Sequence, residues 1–192
     1  MIAAPSFRYD ELDHAYYLND QRIPSITQLI EMGGLVNGKD YFTEESRQRG
    51  TEVHALCADW DMRALDPLTV TSNRRPYLLA YIAACDALKP EWEAIEEADV
   101  HPDYKFAGRT DRVGRVLGLR SVVEIKSAAK ARHHPVQTAL QAILAAARWP
   151  LPHEHWQRVV FYVKHTGKFS VETHGDRRDF DTAFRLIKEF AS

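Results

Sequence analysis

Apolar and polar positions along this chain repeat with two periods, and the switches between them mark out its elements. From Phe7 to Ile23, FRYDELDHAYYLNDQRI sets polar turn residues between aromatic and apolar runs, which predicts a small hairpin. PSITQLIEMGG predicts a helix, with Ser25 as N-cap, Gln28 three residues later to complete a capping box, and Gly33-Gly34 as the stop. TEESRQRGTEVHALCADWDMRAL reads as a second helix with an acidic first turn. RPYLLAYIAACDAL reads as a third, opened by Pro76 and ended before Pro90.

Strand patterns follow. Residues 92–101 start a sheet, and Phe106–Val116 and Arg120–Ser127 continue it as a hairpin around Gly118. HPVQTALQAILAAARW returns to the helical period and is closed by Pro150. WQRVVFYVKHTGKFSVETH predicts a second hairpin turning at Thr166-Gly167. RRDFDTAFRLIKEF predicts a terminal amphipathic helix with Phe180, Phe184, Ile187 and either Phe190 or Leu186 in its buried stripe. This order predicts an α/β fold of one domain over 1–192. A hairpin and helices fill 1–90, and a mixed, partly antiparallel sheet flanked by helices fills 91–192.

Composition adds exclusions. With 45% apolar and 27% charged residues the chain reads as globular, and no apolar run approaches the roughly 20 residues of a membrane span. Its start, MIAAPSFRYDELDHAYY, lacks a basic then apolar leader, so a location in the cytoplasm of whatever cell makes the protein is expected. Cys57 and Cys85 sit in helix-like apolar segments and read as reduced, buried thiols; two cysteines are too few for a four-cysteine zinc or iron–sulfur site. The formal charge of −2 conceals an asymmetry. Between Lys105 and His134, eight Lys or Arg face only Asp111 and Glu124, a concentration that suits an anionic ligand or, equally, a solvated basic face.

The chemistry concentrates in FAGRTDRVGRVLGLRSVVEIKS. Residues two apart on a strand share a face, so Glu124 and Lys126 point together while Val123 and Ile125 pack the other way. Arg109, Asp111 and Val113 share a face of the preceding strand. A two-residue turn at Gly118-Leu119, of type II′, sets Asp111 opposite Lys126; a turn at Leu117-Gly118 sets it opposite Glu124. Either register gathers two carboxylates and an ammonium. They read as a cross-strand ion pair on a wet face, or as oxygen ligands for Mg²⁺ or Mn²⁺ with Lys126 beside the reacting group.

GRTDRVGRV…SVVEIKS resembles the G-x-x-D…(D/E)-x-K signature of the PD-(D/E)XK nuclease superfamily. RGTEVHALC at 49–57 resembles the R-G-x-x-x-H helix of its RecB-like and phage exonuclease branch, and QTALQ at 137–141 takes the place of that branch's Q-x-x-x-Y motif. IPSITQLIEMGGLV is similar to the leader before R-G-x-x-x-H in phage-encoded members. The resemblance runs from about Phe7 to the final helix, and departs from the pattern at Gln141, where tyrosine is usual.

This resemblance implies a central sheet of about five strands and a metal-dependent DNA exonuclease of phage-type recombination, repair or DNA-end processing. Its metal site would use Asp111, Glu124, His54 and the carbonyl of Ile125 on Mg²⁺ or Mn²⁺, without an iron–sulfur cluster. Lys126 and Gln137 would complete the catalytic set. Arg49, Glu97 and Gln141 would serve the substrate, with Glu96 and Glu93 competing for the place of Glu97; the charge of the basic segment adds Arg109, Arg112, Lys130 and Arg132 as phosphate contacts, several of them read equally as solvated. Linear or single-stranded DNA ends are the implied partner, with a homo-oligomer or a recombination protein as further possibilities and no membrane. A non-cleaving DNA-binding or host-interaction module of the same fold is the alternative outside enzymes, and a structure-specific endonuclease the alternative within them. HEH at 153–155 lacks a third ligand and reads as a loop, and no P-loop, G-x-S-x-G or dinucleotide fingerprint occurs.

Overall fold

The computed structural model of the chain describes residues 6–36 and 43–191. The expected domain span of 1–192 and the reading of the first residues as lacking a leader both run into positions outside that set. Three short strands come first, β1 (Phe7–Asp10), β2 (Ala15–Leu18) and β3 (Gln21–Ile23). They form an antiparallel sheet in that order, so the predicted hairpin is a three-stranded meander. Its second turn is made by Asn19 and Asp20, both left-handed at φ 49° and 61°. Short polar side chains tolerate that conformation, which lets a two-residue turn close with no glycine.

Helix α1 (Ile26–Met32) carries the expected capping box, with Gln28 N donating to Ser25 Oγ and Ser25 N donating to Gln28 Oε1. Helix α2 (Glu44–Asp61) is capped by Thr43, and α3 (Arg75–Leu88) ends at a left-handed Lys89. The remaining elements are β4 (Glu91–His101), β5 (Phe106–Val116), β6 (Leu119–Lys126), α4 (His134–Arg148), β7 (Gln157–Val163), β8 (Phe169–His174) and α5 (Arg178–Phe190). Residues 153–155 form a single 3-10 turn between α4 and β7.

The second sheet has the order β4-β5-β6-β7-β8 and is antiparallel except for β6 and β7. A parallel pair needs a long crossover, which α4 supplies. The α/β class and the five-stranded mixed sheet flanked by helices therefore agree with expectation. Helices α1, α4 and α5 cover one face, where Val113 and Val122 meet Leu140, Ile143, Leu144 and Leu186. On the other face, shared by α2 and α3, Val123, Ile125 and Phe161 meet Val53, Cys57 and Tyr81. Strand β7 is covered on both faces, which accounts for its unbroken apolar run. On α5, Leu186 is fully buried and Phe184 and Phe190 are partly so, which resolves the two options for its stripe. Both cysteines are free thiols, Cys57 buried and Cys85 half-buried. Among the described residues no helix is long and apolar enough to cross a membrane.

Two close fits hold the sheet in place. A Cβ on Gly114 would lie 2.0 Å from the carbonyl oxygen of Glu91, so only glycine lets β4 lie against β5 there. Arg158, buried on β7, pairs with Asp179 at 3.0 Å and donates to the carbonyls of Pro135 and Asp176 at 3.0 and 2.9 Å. It joins the start of α4 to the start of α5.

Candidate metal centre and its surroundings

The turn after β5 decides which charged groups meet. Leu117 and Gly118 form it, left-handed at φ 50° and 79°, with Val116 paired to Leu119. This is a type I′ turn at Leu117-Gly118, and the alternative of a type II′ turn at Gly118-Leu119 does not occur. A left-handed leucine costs about 1–2 kcal/mol. Its amide donates to the Leu88 carbonyl at 3.1 Å, which ties the turn to the end of α3.

The register that follows brings Asp111 towards Glu124, but regular pairing stops one step short, at Arg112 and Val123. On the other flank, pairs run from Ile95–Arg112 to Glu97–Thr110, and the skipped Glu96 is left-handed at φ 52°. Asp111 thus sits where β5 lacks a regular partner on either side. Its Oδ2 takes the N–H of Ile125 at 2.6 Å, closing the gap between the parting strands with a side chain.

Helix α2 delivers His54 to this gap. His54 Nδ1 lies 3.3 Å from Asp111 Oδ1 and 3.5 Å from Glu96 Oε1. Ligand atoms of His54, Glu96 and Asp111 all lie within 4.8 Å of one another. Ligand atoms that share one ion with bonds of about 2.0–2.2 Å lie roughly 3–4 Å apart, so this group could hold a divalent cation.

Glu124 belongs to a second, adjoining group. Its Oε1 receives Lys126 Nζ at 2.5 Å and Gln137 Nε2 at 2.7 Å, and its Oε2 receives Gln141 Nε2 at 2.5 Å. Gln137 and Gln141 lie one turn apart on α4 and face the same way, as their spacing predicts. The expected ligand set of His54, Asp111, Glu124 and Ile125 is therefore regrouped: Glu96 stands with His54 and Asp111, while Glu124 anchors Lys126. Ile125 touches the site through its backbone, with its side chain in the apolar layer.

Burial and mutual charge set the ionisation of both groups. Asp111, 4% exposed, is pushed up to about 6 by burial and by the neighbouring Glu124, against the pull of His54. Burial opposes charge on His54, yet Asp111 and Glu96 win and hold the imidazole well above its ordinary value. Lys126 is likewise raised, because Glu124 and Asp111 outweigh its desolvation. Glu124 is lowered despite burial, chiefly by Lys126 and His54.

Several residues assigned to the substrate lie elsewhere or do other work. Arg112 is fully buried beneath the site, where its Nε donates to Asp61 at 2.6 Å and its Nη1 to Glu96 at 3.1 Å. It cannot reach a phosphate. Strand alternation already held the signal, because Arg112 lies on the opposite face from Asp111. Asp61 and Tyr81, whose hydroxyl donates to Asp61 at 2.6 Å, complete this support and carried no sequence motif. Glu97 points away and pairs with Arg148 at 2.6 Å, so Glu96, its rival in sequence, is the one at the site. Lys130 pairs with Glu172 at 3.3 Å, and Arg132 is exposed beyond β6. Arg49 is half-buried, and its Nε has no hydrogen-bond partner among the described residues. Two members of the basic segment, Arg112 and Lys130, are thus taken up in ion pairs with Asp61, Glu96 and Glu172. Arg109 is the segment's exposed member at the site.

Two cavities flank the cluster. One of about 380 Å³ is lined by Gly50, Thr51, His54, Ala55, Glu96 and Arg109. Another of about 350 Å³ lies between the first sheet, α1 and α4, and Arg109 borders it too. Gly108 faces the Ile26 side chain, whose Cδ1 lies 2.7 Å from where a Cβ would be.

No protein-family model matches the chain, and no curated protein matches it. Among solved structures it is similar to one described as "Crystal structure of SSO0001", at 13% identity and a TM-score of 0.34, over 85% of this chain and 84% of that one.

Proposed function

We propose that this chain is a divalent-metal-dependent deoxyribonuclease that hydrolyses phosphodiester bonds at DNA ends. The observation that carries the reading is the fork between β5 and β6, where the His54–Glu96–Asp111 group adjoins the Lys126–Glu124 pair. The motif resemblance, R-G-x-x-x-H through (D/E)-x-K, supports the same reading from sequence.

His54, Glu96 and Asp111 would hold the ion, and two carboxylates with an imidazole suit Mn²⁺ at least as well as Mg²⁺. A bound cation supplies a more acidic water and neutralises phosphate charge. The protein's own groups do the rest. Lys126 stays protonated, so it acts as a fixed positive charge for the oxyanion that develops at phosphorus rather than as a base. Glu124 holds that ammonium in place and is itself held by the two α4 amides. Arg109, exposed between the two cavities, is placed to meet a phosphate of the strand.

Incubation of linear and closed circular DNA with the purified protein in Mn²⁺, Mg²⁺ or EDTA tests the proposal. Loss of linear DNA with survival of circles, only with metal, is the expected result. Cutting of circles would make the enzyme an endonuclease, and binding of DNA without cutting in any metal would overturn the assignment in favour of a binding module.

A further inference from the structure

The 350 Å³ cavity has a chemistry distinct from the metal cluster it borders. Tyr9 and Tyr16 line it with rings 4.8 Å apart, Thr27 lies at its exposed edge, and Gln137 and Gln141 line it from α4. Gln141 is 1% exposed. Its amide nitrogen is spent on Glu124, which leaves Oε1 buried without a hydrogen-bond partner among the described residues. An unmet acceptor at that depth is costly to keep unless something donates to it. Arg109 reaches over the Tyr9 ring at 4.9 Å and also borders the cavity on the His54 side.

A ligand for this space needs a flat aromatic body, an N–H donor for Gln141 and an anionic group for Arg109. A nucleotide carries all three, and the volume falls at the small end of the range for ligand pockets. The larger cavity, about 760 Å³ beside Trp60 and Trp92, offers less: the Asp61 carboxylate on its wall already serves Arg112 and Tyr81.

We infer that this cavity receives the terminal nucleoside of a DNA strand, with its base against the tyrosines and a base N–H on Gln141 Oε1. Arg109 then directs the adjoining phosphate to the fork. The inference rests on the nuclease reading for the identity of the strand, but its binding chemistry stands separately.

The test is titration of the full chain with dAMP and with deoxyribose 5-phosphate in EDTA, by calorimetry and by methyl NMR of Ile26 and Thr27. dAMP is expected to bind and to shift both methyl signals, with the abasic sugar phosphate at least about tenfold weaker. Thr27→Trp, an exposed position that fills the mouth, and Tyr9→Ala are each expected to weaken dAMP by a similar factor. Equal binding of dAMP and the abasic compound, or unshifted Ile26 and Thr27 signals in the wild-type protein, would overturn the inference whether or not the variants fold. Digestion of linear DNA is measured in parallel. A protein that cuts DNA yet fails these titrations keeps the nuclease reading and loses the pocket. One that passes them and cuts nothing keeps the nucleotide site and loses the nuclease.

Discussion

The carboxylate of Asp111 accepts the backbone N–H of Ile125 at 2.6 Å across strands that have ceased to pair. One side chain therefore repairs the sheet and turns its other oxygen towards His54. Asp111→Asn retains an acceptor for Ile125, so its thermal midpoint is expected to stay within a few degrees of wild type. Mn²⁺ binding by calorimetry should weaken strongly, and DNA cutting should fall by at least about a thousandfold. Parental activity in this variant would remove Asp111 from the mechanism.

Glu96 and Glu97 are neighbours in sequence with separate surroundings, His54 and Arg112 for one and Arg148 for the other. Glu96→Gln is expected to lower Mn²⁺ affinity about ten- to hundredfold, whereas Glu97→Gln leaves it unchanged. The reverse outcome in a parallel titration would show that the ligand set is misassigned.

Arg112 is fully buried, so the groups that pair with it must compensate its charge. Asp61→Ala strips the guanidinium of its 2.6 Å carboxylate and is expected to cost about 3–5 kcal/mol in urea unfolding. Replacing Arg112 with Met in the same chain should recover part of that loss. A double variant no more stable than Asp61→Ala would argue against a buried-charge penalty.

His134, outside the proposed ligand set, provides a pH dependence. Burial, with the positive charges of Lys126 and His133, pushes its imidazole down to about 3 from 6.5. The unfolded chain takes up that proton near pH 6.5 and the folded chain does not. Stability is then fully present above about pH 6.5 and declines as pH falls towards 3, by at most about 1.4 kcal/mol per unit. Thermal melts between pH 7 and 4.5 should show a shallower decline for His134→Gln than for wild type. Parallel curves would exclude the histidine as the source.

How far the site was legible varies from residue to residue. The nearness of Asp111, Lys126, Gln137 and His54 was legible because strand alternation, helix spacing and short motifs act over a few residues. Glu96 was not separable from Glu97, since a left-handed residue in β4 breaks the period that would have assigned its face. Arg112 was misjudged by counting its charge without its parity. Gln141, which departs from the usual tyrosine, turned out to bind Glu124, a contact that depends on how α4 crosses the sheet.

Local forces, then, settled in sequence which segments are helix and which are strand, where the cap of α1 and the turns near Gly118 and Gly167 fall, and that two carboxylates and a lysine share one region. Pairing register, the crossover of α4 and the approach of α2 were decided only on folding. Each depends on contacts between residues tens of positions apart, and a one-residue difference at the Leu117-Gly118 turn changes which charge faces Asp111.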